Sequence, residues 1–106
     1  MFRFAGVGNR LFKVRHVAGY KEEQNRWAER LGFPPKDYSA WETGRMQIPI
    51  GHALRILDEV PGVTLDYLYR GTLDTVTVEL SRRLRAAPDR PPVRLGRRPK
   101  RPSIIS

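Results

Sequence analysis

The sequence predicts an all-α fold: a compact bundle of five to six short helices, followed by a disordered basic tail rich in proline and arginine. Three observations lead there. Apolar residues recur at three- and four-residue spacing over most of the chain. Glycine and proline punctuate that pattern where helices should end and begin. After Ala87 the composition changes, with Pro88, Pro91, Pro92, Pro99 and Pro102 set among arginines and few apolar side chains left to bury.

The elements follow in order. Asn9 reads as an N-cap, and Leu11, Val14, Val17 and Ala18 form a stripe that Gly19 ends. EEQNRWAERLG is a second helix, acidic at its start and closed by Gly32. Pro34 and Pro35 fit only the opening of a third, which runs through Tyr38 and Trp41 to Gly44. Pro49 opens a fourth, with Ile50, Ala53, Leu54 and Leu57 expected on the inward face. Thr64 caps LDYLYRG, closed by Gly71. Residues 73–87 are ambiguous, because Leu73, Val76, Leu80 and Leu84 make a helical stripe while Val76, Val78 and Leu80 alternate like a strand. Helix is preferred, since SRRLRAA continues with good helix formers.

With 106 residues the chain has room for one domain. The expected organisation is an N-terminal arm over 1–8, the helical domain over 9–87 and the tail over 88–106. There is no cysteine, hence no disulfide and no thiolate metal site. No apolar run approaches the length of a membrane span, so a cytoplasmic, nucleoid-associated protein with no membrane partner is expected.

Charge gives the first functional clue. The net charge is +9, and residues 82–106 contribute eight of it, nine basic residues against Asp89 alone. Such a polycation attracts nucleic acid through counterion release. Arg94, Arg97, Arg98, Lys100 and Arg101 are the expected tail contacts to DNA.

The densest local signal runs from Gln24 to Thr43. A helix-turn-helix needs a small residue where its helices touch, a turn residue tolerant of positive φ, and a fixed set of inward apolar positions. Ala28, Gly32, and Trp27, Leu31, Phe33, Tyr38 and Trp41 supply all of these.

WAERLGF, YSAWETGRMQIPI, LRIL and GVTLDYLYRG together resemble the Xre or Cro/lambda-repressor-like helix-turn-helix family, over about Asn9 to Gly71. The resemblance implies a five-helix bundle whose second and third helices dock on double-stranded DNA, usually as a homodimer on a palindrome. It also implies a salt bridge between Arg15 and Glu42, clamping helix one to the end of helix three. The family's base-facing positions match Pro34, Pro35, Lys36, Ser39 and Ala40, and Gln24, Arg45 and Gln47 match phosphate contacts. Two features depart from the pattern. The loop GYKEE is about two residues longer than is common. Only Lys36 and Ser39 can hydrogen-bond a base edge, with Asp37 adding a negative charge beside them.

Other motifs are weaker. GRRPKRP is similar to an AT-hook but has an extra arginine between glycine and proline, so a nonspecific basic arm is the preferred reading. Pro-x-x-Pro spacings at Pro88–Pro91 and Pro99–Pro102 leave room for a protein partner. His16 and His52 stand apart without carboxylates at ligand spacing, Gly6-x-Gly8 follows no strand, and Tyr67 and Tyr69 read as packing. No catalytic site, metal or cofactor is expected. The expectation is a DNA-binding transcriptional regulator, a repressor or autoregulator. Its rivals are an antitoxin-like or adaptor interaction module and an architectural DNA-binding protein of low specificity.

Overall fold

The computed structural model describes residues 2–91. These form six helices and no strand: α1 (Ala5–Val17), α2 (Gln24–Leu31), α3 (Pro35–Thr43), α4 (Ile50–Glu59), α5 (Leu65–Arg70) and α6 (Val78–Ala86). The tail residues Arg94, Arg97, Arg98, Lys100 and Arg101 lie outside the described residues. None of the helices described is long and apolar enough to cross a membrane.

One core serves the whole bundle. Leu11 and Val14 of α1, Trp27 and Ala28 of α2, Tyr38 and Trp41 of α3, Ala53 and Ile56 of α4, Leu68 of α5 and Leu84 of α6 meet there. Helix α1 packs along α3 and also touches α5 and α6. Helices α2 and α3 therefore sit on a platform made by α1 and α4. The seven positions singled out between Gln24 and Thr43 behave as the spacing requires. Trp27, Ala28, Leu31, Phe33, Tyr38 and Trp41 are buried, and Gly32 ends α2 at φ +81°. Because Ala28 is fully buried, Ala28→Leu should overpack this contact and cost ~1–3 kcal/mol, seen as a lowered midpoint in a thermal melt.

Four expectations need correction. The first helix begins at Ala5, so the last four residues of the expected arm are helical, and Asn9 lies inside the helix and is not its cap. The reason is tertiary: Phe4 N–H donates to the Gly44 carbonyl at 2.9 Å, and Gly8 is buried against α3. The second helix starts at Gln24, leaving the two glutamates before it outside. On α4 the inward stripe is Ala53, Ile56 and Val60, whereas Ile50 and Leu54 are 60% and 47% exposed. Finally, only residues 78–86 of the ambiguous segment are helical. Thr77 caps them by accepting from Leu80 N–H at 3.3 Å, while Leu73 and Val76 pack from the turn before.

Two core tyrosines make the fold sensitive to alkali. Burial pushes the Tyr38 hydroxyl well above its ordinary range, and the nearby Glu42 carboxylate adds to it. Burial raises Tyr67 to about 12, partly offset by Arg10. In the unfolded chain both ionise near pH ~10, so above that pH the folded state binds more protons than the unfolded one. Stability should hold below pH ~10 and fall as pH rises through ~12. Among the described residues the buried Tyr38 hydroxyl has no hydrogen-bond partner. Tyr38→Phe should thus leave neutral-pH stability unchanged or improved and make the alkaline loss shallower, measured as urea midpoints against pH.

Candidate nucleic-acid interface

The candidate surface is the outward side of α3 and the loop after it. Pro34 is extended (φ −61°, ψ 126°) and Pro35 occupies the first turn, where its missing N–H costs nothing. Lys36, Ser39 and Ala40 follow at spacings that put them on one helix face. Pro34, Lys36 and Asp37 are exposed, while Pro35, Ser39 and Ala40 are half-buried. The opposite face carries Tyr38, Trp41 and Glu42 into the interior.

Gly44 ends α3 at φ +86°, and the chain turns back on itself. The N–H groups of Arg45 and Met46 both donate to the Ala40 carbonyl, at 3.1 and 3.3 Å. Beyond them the Tyr69 hydroxyl donates to the Ile48 carbonyl at 2.7 Å. Arg45 and Gln47 therefore stand exposed on a loop braced at both ends. The Arg45 guanidinium lies over the Phe2 ring, 5.5 Å from its centroid, and Phe2 is a neighbour that sequence reading did not anticipate.

Behind this surface sits a polar clamp. Arg15 Nε donates to Glu42 Oε2 and Arg15 Nη2 to Glu42 Oε1, both at 2.9 Å, a bidentate pair between α1 and α3. Arg15 Nη1 donates to the carbonyls of Tyr20 and Lys21, at 2.7 and 2.8 Å. Gln24 donates to Glu42 Oε1 at 2.9 Å. The expected pair is thus present, while Gln24, expected to face phosphate, spends a side-chain donor on Glu42.

The beginning of the expected tail is attached to the domain. Asn9 Nδ2 donates to Asp89 at 3.1 Å, and Arg90 N–H donates to Asn9 Oδ1 at 2.6 Å. Lys13 donates to the Ala87 carbonyl at 2.8 Å and pairs with Asp89 at 3.3 Å. Pro88–Pro91 thereby line one open cleft with Lys21, Glu22 and Gln24. Pro91, the last described residue, shares that cleft with Gln24 at the start of α2. No sequence signal marked Asn9 for this role, because an asparagine near a helix start reads first as a cap.

His52 packs edge-on to Phe33 and tilted on Trp41, each at 5.0 Å between centroids, and His16 lies 5.9 Å from Phe12. Both are packing residues here. Among the described residues no group of three His, Cys, Asp or Glu side chains could hold a metal ion. Comparison with known protein families, curated proteins and solved structures finds no match to this chain.

Proposed function

We propose that the chain is a DNA-binding transcriptional regulator, a repressor or autoregulator, that lays α3 in the major groove of double-stranded DNA. The observation that carries this reading is the division of labour on α2 and α3. Every inward position of the expected helix-turn-helix is buried around a left-handed Gly32, and the outward row of α3 is left open beside Arg45 and Gln47. In this reading Lys36 reads a base edge, Ser39 assists, and Pro35 or Ala40 meets a thymine methyl. Arg45, Gln47 and the α2 backbone hold phosphates, and the basic residues beyond Pro91 reach the backbone or minor groove next to them.

A second reading is favoured by the chemistry of α3 itself. Two hydrogen-bonding side chains beside Asp37 make a thin base-reading set, which suits an architectural protein that binds DNA with little sequence preference.

Salt titrations on a site selected from random duplexes, and on scrambled DNA, test both. Arg45→Ala, or removal of residues 92–106, should weaken binding to every duplex alike and make the log–log salt dependence shallower, by about one unit per lost phosphate contact. Lys36→Ala should instead reduce the preference for the selected site, by ~1–3 kcal/mol. If selection yields no common site, the architectural reading replaces the regulator. If the parent protein binds no duplex at low salt, both fall and the interaction-module reading takes their place.

A further inference from the structure

The chain after α6 is laid back along α1 by a ladder of polar contacts. Arg83 Nη2 donates to the Val17 carbonyl at 3.1 Å, and Lys13 Nζ donates to the Ala87 carbonyl at 2.8 Å. The Arg90 N–H then donates to Asn9 Oδ1 at 2.6 Å. Val17, Lys13 and Asn9 are each one turn apart, so the chain retraces about 12 Å of α1 toward its start. Asn9 is the centre of this ladder. Asparagine inside a helix is unfavourable relative to alanine, yet both halves of its carboxamide are spent here, Oδ1 on Arg90 and Nδ2 on Asp89 at 3.1 Å. Asp89 is the one acid among residues 82–106, and it also pairs with Lys13 at 3.3 Å. Asn9 and then Lys13 hold its carboxyl below the ordinary range. Pro88 and Pro91 restrict the backbone on either side. At the end of the ladder Pro91 lines a cleft with Gln24 of α2 and Glu42 of α3, whereas α6 itself packs on α1.

We infer that Asn9 is a positioning residue for the basic tail: it roots the cations beyond Pro91 beside α2 and α3, so that tail and α3 engage one duplex together. The inference rests on the proposed reading of α3 as a DNA-binding helix. Residues 92–106 carry five basic residues and no acid. Once α3 is docked, their encounter with the same duplex is intramolecular, and its strength follows the effective concentration set by the tether. Without the ladder the chain would be released at the end of α6, about 12 Å back along α1, and Ala87–Pro91 would be added to the tether. Effective concentration falls slowly with tether length, so the loss is moderate and confined to affinity. Asn9 has no side-chain hydrogen bond to α2 or α3 among the described residues, so it acts on DNA only through the tail.

Fluorescence anisotropy of a short labelled duplex, titrated with the full chain at several salt concentrations, tests this. Asn9→Ala should keep the parent's helical circular dichroism, because alanine favours helix at that position. It should weaken duplex binding by about 3–10-fold and make the salt dependence shallower. A second background carries Arg94→Gln, Arg97→Gln, Arg98→Gln, Lys100→Gln and Arg101→Gln together, and should itself bind more weakly than the parent. In that background Asn9→Ala should change affinity by less than about 2-fold, since the two changes act through one contact. An equal loss in both backgrounds overturns the inference, because Asn9 then serves the bundle and not the tail. So does an Asn9→Ala protein that binds as the parent does while the glutamine background binds more weakly, since the tail then needs no fixed root. A glutamine background that binds as the parent does overturns it too, because the tail is then not on the duplex. A parent that binds no duplex at low salt is a different failure: it removes the DNA-binding reading, and this inference with it.

Discussion

Glu42→Ala and Arg15→Ala should each destabilise the domain by about 3–5 kcal/mol, the range for leaving one member of a buried ion pair uncompensated. Both residues are among the most buried in the protein, at 1% and 5% exposure, so water cannot replace the lost partner. The network around them is nearly complete. Four guanidinium N–H groups of Arg15 are placed, two on Glu42 and two on the Tyr20 and Lys21 carbonyls, and Gln24 adds a donor to the carboxylate. The double variant should therefore be little worse than either single one, because the second truncation removes a group already stranded. Arg15→Lys should recover only part of the loss, since an ammonium cannot span both carboxylate oxygens and both carbonyls from one plane. Chemical denaturation of the four proteins checks this. Strict additivity would mean that the two charges do not depend on each other. The paired variant Arg15→Met with Glu42→Leu separates stability from orientation. It should fold yet hold α3 less firmly against α1, and in the proposed DNA-binding reading it should bind a duplex more weakly.

The clamp shows what a sequence of this kind reveals and what it withholds. Arg15 and Glu42 came from the family resemblance, which encodes a long-range pair that no spacing rule could supply. Gly32, Gly44, Gly71 and Thr64 were legible from local chemistry alone, because a left-handed residue or a side-chain cap is dictated by its immediate neighbours. The start of α1 was not legible, since it depends on Phe4 reaching Gly44 some forty residues along the chain. The face of α4 was misread for a different reason. Ile50, Ala53, Leu54 and Leu57 make as good a stripe as Ala53, Ile56 and Val60, and periodicity cannot tell an inward face from an exposed apolar one. At the candidate interface, the outward placing of Lys36, Ser39 and Arg45 agrees with the helix pattern. The inward turn of Gln24, Phe2 beneath Arg45 and Asn9 holding Asp89 and Arg90 all depend on tertiary approach, and no local pattern announces them.

Gly8→Ala should be more disruptive than any ordinary glycine-to-alanine change in a helix, costing ~3 kcal/mol or more and, in the proposed reading, lowering DNA affinity with it. A Cβ on Gly8 would lie 2.2 Å from the Glu42 carbonyl oxygen and 2.9 Å from that of Trp41. Both are backbone atoms at the end of α3, so no side-chain rotation can relieve the clash, and α1 must move away from α3. The same seam continues at Gly44, where a Cβ would stand 2.5 Å from the Ala5 backbone. Opening it would loosen the Phe4–Gly44 hydrogen bond, pull on the Arg15–Glu42 pair and displace the loop that carries Arg45. Gly6→Ala is the internal control. Its Cβ would touch only the tip of the Arg10 side chain, at 3.5 Å, so the usual helix preference for alanine should prevail and stabilise the domain by up to ~1 kcal/mol. Thermal melts of both variants, read beside their affinity for one duplex, decide the matter. Two glycines in one turn of one helix should shift stability in opposite directions, and equal shifts would mean that α1 does not meet α3 backbone to backbone.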